Sequence, residues 1–127
     1  MTTDWPNYVK KPGTRDWQRS AIEWLRQLLP ARYATYPTLS RFPVLLARQA
    51  QIQVQQEEQM TRIALRTARA ELPRMGVPES VIEHMITMHL LELSQLQKTA
   101  RSVQAVSSAL ASRQLGSCIV DSHAQRR

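Results

Sequence analysis

Three stretches of the chain, 14–29, 44–72 and 79–115, contain neither proline nor glycine, and in each the apolar positions recur every three or four residues. In the first, Trp17, Ala21, Trp24, Leu25 and Leu28 fall on one side of a helical period. Thr14 is placed to cap it, Asp16 lies in its electropositive first turn, and Pro30 closes it. In the second, Leu46, Ala47, Ala50, Val54, Ala64, Leu65, Ala68 and Leu72 form one broad face, with a narrower strip of Leu45, Ile52 and Ile63 beside it. Pro43, behind Ser40, suits the first helical position. Ala50, Ile52 and Val54 also alternate with Gln49, Gln51, Gln53 and Gln55 as a strand would. The helix-forming flanks and the lack of a partner strand decide for helix. The third stretch has the strongest pattern. Ile82, Ile86, His89, Leu93, Leu96, Ala100, Val103, Ser107 and Leu110 step by four and three, a coiled-coil-type seam that starts after Pro78. Glu79 and Glu83 complement the dipole at its start, and Gly116 is placed to end it.

These patterns predict an all-α protein with helices at about 14–29, 43–72 and 78–115. The helices make one domain, 14–115, between an N-terminal arm, 1–13, and a disordered tail, 116–127. The short Pro73–Pro78 loop folds the second and third helices back as a long antiparallel hairpin, and the short first helix braces its open end. The segment 31–42, with Tyr33, Tyr36, Pro37 and Phe42, is expected to run extended across the helix ends with its rings packed down. All seven aromatic residues precede residue 43, so the hairpin packs through aliphatic and small side chains, Ala100 and Ser107 allowing close approach. One short helix covers only part of a hairpin, and dimerisation into a helical bundle is therefore expected.

Composition narrows the class. A chain of 127 residues with 43% hydrophobic content is expected to be one globular domain without a covalent staple. The single cysteine, Cys118, excludes an intrachain disulfide or an all-cysteine metal site and suits a reducing compartment. Residues 1–13 hold no apolar run, and the longest aliphatic run is Val44–Ala47, so a cytoplasmic protein without a membrane partner is expected.

Few residues offer chemistry. His84, Met85, Met88 and His89 are soft-metal ligands by type, but on one helix they cannot converge on one ion. His89 falls on the seam, where a polar residue sets register at a cost in stability and would make assembly pH-sensitive. A carboxylate-bridged di-metal site needs Glu-x-x-His, and no glutamate here has a histidine three residues on. Cys118, Asp121 and His123 sit in the predicted tail, which cannot hold a catalytic triad. The three isolated glycines build no phosphate-cradling loop. No catalytic residue, metal, cofactor or small-molecule substrate is expected.

Charge is distributed unevenly. Of the net +7, residues 1–56 carry +5, residues 57–95 carry −2 and residues 96–127 carry +4. A hairpin would bring the two positive segments to one end, where Lys10, Lys11, Arg15, Arg19 and Arg113, with Arg126 and Arg127, could meet phosphates. The arm interleaves Trp5 and Tyr8 with Lys10 and Lys11, which has the chemistry of a nucleic-acid arm, although Trp5 could equally latch the arm to the body. Arg48, Arg62, Arg66 and Arg69 share one side of the second helix and read as a solvated face, Glu58 pairing with Arg62. No helix-turn-helix is apparent. The leading expectation is a non-enzymatic protein acting through helix–helix contacts, as a homodimer or with a helical partner, along Ile82, Ile86, His89, Leu93, Leu96, Val103 and Leu110. The alternative is a nucleic-acid-binding accessory or regulatory protein that contacts phosphates through its basic end.

Overall fold

The computed structural model describes residues 4–125, with side chains for all of these except Ala34 and 113–125. Every regular element among them is helical. In chain order these are α1 (Trp17–Leu28), α2 (Pro37–Arg41), α3 (Pro43–Ala70) and α4 (Glu79–Gln125), with 3-10 turns at Ala31–Thr35 and Leu72–Met75. Contacts group them into two compact units, one of Met1–Gln51 with Arg101–Arg127 and the other of Ile52–Ala100.

The first unit is built around α1. Its Trp17, Ala21 and Leu25 are buried, as are Leu46, Ala47 and Ala50 of α3 and Val103, Val106 and Leu110 of α4. The helix begins at Trp17 rather than at the predicted residue 14. The Thr14 hydroxyl donates to Lys11 O instead, so Thr14 closes a turn in which Gly13 has φ 89°. Asp16 follows at φ 65°, a left-handed conformation that asparagine and aspartate tolerate better than other non-glycine residues, and makes no side-chain cap bond. The arm is fastened down. Trp5 Nε1 donates to Val9 O at 2.8 Å, the Trp5 ring lies 6.4 Å from that of Trp17, and Val9 is buried. Lys10 N donates to Ser20 Oγ at 3.0 Å, and Asp4 pairs with Arg101 at 3.4 Å. Of the two roles open to Trp5, the structure shows the latch.

The segment after α1 is not the extended strap predicted. Pro30 O accepts from Tyr33 N at 3.0 Å to open a 3-10 turn, and Pro37 occupies the first turn of α2. Proline fixes φ near the helical value, so two prolines seven residues apart start two short turns in place of one extended run. Tyr33 packs edge-on against Tyr36 at 5.6 Å and carries Arg32 over its ring, but Tyr36 and Phe42 are about half exposed and do not seal a core.

The second unit consists of the later part of α3, the connecting turn and the first part of α4. The turn works because Gly76 takes φ 79°, ψ 16°, which lets its N–H reach Pro73 O and that of Val77 reach Leu72 O. Val54, Leu65, Ala68 and Ile82 are buried here. So is Thr61, whose hydroxyl is satisfied by Glu57 O at 2.9 Å. Of the narrow strip, Leu45 of the first unit and Ile63 of the second are exposed and Ile52 is half-buried. α4 stays helical past Gly116, the residue predicted to end it. One glycine costs a helix only about 1 kcal/mol relative to alanine, which the turns on either side can carry.

Candidate interaction surfaces

The predicted seam lies on the inner side of α4, but its burial changes along the helix. Ile82, Val103 and Leu110 are buried, while Ile86, His89, Leu93 and Leu96 are half-buried. Near its described end the buried line passes through Ser102 and Val106, whereas Ser107, on the strict heptad, is half-buried. The buried line turns to this side where, in the first unit, α1 contributes its own buried Trp17, Ala21 and Leu25 to the core. Within the first unit α3 and α4 are also joined by polar groups. Gln51 Nε2 donates to Gln104 Oε1 at 2.7 Å, Arg48 donates to Gln51, and Gln104 donates to Ser108. The glutamines that imitate a strand in sequence include one that bridges these helices.

In the second unit α3 and α4 enclose an open groove of about 230 Å³, lined by Glu57, Met60, Thr61 and Ala64 of α3 and by His89 and Glu92 of α4. Thr61 and Ala64 are small, and the hollow lies above them. Met60 is 68% exposed at its edge. Met85 precedes His89 by four residues and so lies on the His89–Glu92 face of α4. Nδ1 of His89 is buried without a hydrogen-bond partner among the described residues. The sequence places His89 on the seam but not beside Glu57, 32 positions earlier. Two carboxylates and an imidazole line the groove, yet among the described residues no group of three or more such ligands could hold a metal ion. His84 and Met88 are exposed, apart from His89 as the spacing requires.

Of the predicted phosphate contacts, Lys10, Lys11, Arg15 and Arg19 are all exposed in the first unit. Among the described residues the ion pairs are Glu58–Arg62 at 3.6 Å, as the i,i+4 spacing predicts, and Asp4–Arg101. None of those four cations is engaged by either pair. The side chains of Arg113, Cys118, Asp121 and His123, and all of Arg126 and Arg127, lie outside the described residues. No described helix is long and apolar enough to cross a membrane.

Fold and surface together define a class, a small all-helical protein with strong α3–α4 packing. No protein-family model, no curated protein and no solved structure matches the chain.

Proposed function

We propose that this is a non-enzymatic helical interaction protein of the cytoplasm. It docks through the second unit, whose α3 and α4 form an antiparallel hairpin that pairs with a second copy or with a helix of another protein. One imbalance carries this. Among the described residues the second unit buries four hydrophobic side chains and exposes seven large ones: Met60, Ile63, Met75, Val81, Met88, Leu90 and Leu91. The first unit has the opposite balance, with eleven buried and four exposed. Apolar surface gathered on one part of a molecule marks a docking site, because water is expelled from it when a partner binds. Sedimentation across a concentration range tests the self-associating form. Wild type should shift from monomer to dimer, and Leu91→Glu should remain monomeric with unchanged helicity. A 14.6 kDa monomer at every concentration removes self-association and leaves docking to another protein.

A second function, contact with nucleic acid, is favoured by the arm. Tyr8 is 86% exposed in a segment held by Trp5 and Val9, with exposed Lys10 and Lys11 following it. A fixed aromatic face next to cations suits stacking on an unpaired base with phosphate contact. Its test is titration of single-stranded DNA at rising salt. A steep loss of affinity, together with weakened binding by Tyr8→Ala, supports it, and no binding at low salt removes it.

A further inference from the structure

We propose that the α3–α4 groove of the second unit receives a basic amphipathic helix from a partner protein, a specification that rests on the docking role proposed above. Charge selects this occupant. The groove lining contains Glu57 and Glu92 and no lysine or arginine, in a chain whose net charge is +7. Neither glutamate belongs to an ion pair among the described residues, and Glu57 accepts only the neutral amide of Gln53, at 3.1 Å. A second copy meeting this groove with its own would bring four carboxylates together with no cation to offset them. A lysine- or arginine-bearing helix would meet two carboxylates that no cation of the chain engages among the described residues.

Shape agrees with charge. The hollow over Thr61 and Ala64, about 230 Å³, has room for one large side chain from a helix laid along the groove. Apolar anchors at i, i+3 and i+4 of such a helix would face the groove while its flanking cations reach Glu57 and Glu92. Methionine supplies the adaptable edge. Met60 stands exposed on α3 and Met85 is half-buried on α4, and an unbranched thioether adjusts to different incoming side chains at little cost.

The test uses the full chain and a fluorescein-labelled synthetic helix of leucine and lysine with an amphipathic period, read by fluorescence anisotropy. Wild type should bind it and should bind a scrambled peptide of the same composition far less. Glu57→Gln combined with Glu92→Gln should weaken binding about tenfold, the loss expected for two partly desolvated charge pairs. Ala64→Leu, which fills the hollow, should weaken binding while circular dichroism shows unchanged helicity. Equal binding of the scrambled peptide, or undiminished binding by the double glutamine variant, overturns the proposal. If the peptide does not bind but the protein self-associates and Leu91→Glu abolishes this, the proposal falls and the docking role stands. If neither occurs, the proposal and the self-associating form of the docking role both fall.

Discussion

Replacing His89 with leucine should stabilise the protein. Nδ1 of His89 is buried and has no hydrogen-bond partner among the described residues, and an unmet polar group of this kind costs about 1–3 kcal/mol. Leucine removes that cost, adds apolar contact with the groove floor, and is the better helix former by about 0.5 kcal/mol. The side chain is only half-buried, so the lower end of the range applies. The expected gain is about 1–1.5 kcal/mol, or ~3–5 °C in Tm for a domain of this size. Thermal and urea unfolding followed by circular dichroism at one near-neutral pH would measure it. His84→Leu is the control, because His84 is exposed on the same helix and should report helix propensity alone, about 0.5 kcal/mol or less. A loss of 1 kcal/mol or more for His89→Leu would refute the reasoning, for it would mean that Nδ1 has a partner in solution. Polar residues at seam positions are kept for register and specificity at the expense of stability. A stabilised variant that associates less selectively would fit that role.

The remaining expectations concern both units. Leu25 is 0% exposed, so Leu25→Ala should cost about 2–5 kcal/mol, whereas Leu91→Ala, at a position 64% exposed, should stay within about 0.5 kcal/mol; paired urea titrations would show the contrast. Gly76→Ala should cost about 1–2 kcal/mol through backbone strain alone, because φ is 79° and an added Cβ meets nothing within 4 Å; a cost above about 3 kcal/mol would reveal a clash that the structure lacks. Trp5→Phe keeps a ring beside Trp17 but deletes the indole N–H bond to Val9 O, and should cost about 1 kcal/mol, measurable as a shift in the urea midpoint.

How far this molecule was legible from its sequence depends on the range of the forces involved. Helix boundaries are local, and prolines act on their own φ and on one missing donor, so Pro43 and Pro73 bracket α3 to within a few residues of where it lies. Thr14 shows where locality misleads. Its hydroxyl is as able to close a turn on Lys11 as to cap a helix, and Gly13, free to take φ 89°, makes the turn the better use. The seam is local in period but not in phase. A heptad count places Ile82, Val103 and Leu110 in the core, but Ser102 and Val106 are buried where α1 joins the first unit, a neighbour that the period of α4 alone does not contain. The groove depends on distance along the chain. Glu57 and His89 are related only by the turn that joins α3 to α4, and nothing in the spacing of either helix sets their relative height. A hollow needs short side chains such as Thr61 and Ala64, but Ala47, Ala50 and Ala68 on the same face are as short and are buried, so side-chain size alone does not locate it. The same limit explains why the −2 charge of residues 57–95 read as a mild bias in sequence. Folding places two of its six carboxylates in one cleft and leaves its four arginines out of the lining, and that separation turns a weak average into a site with a preference.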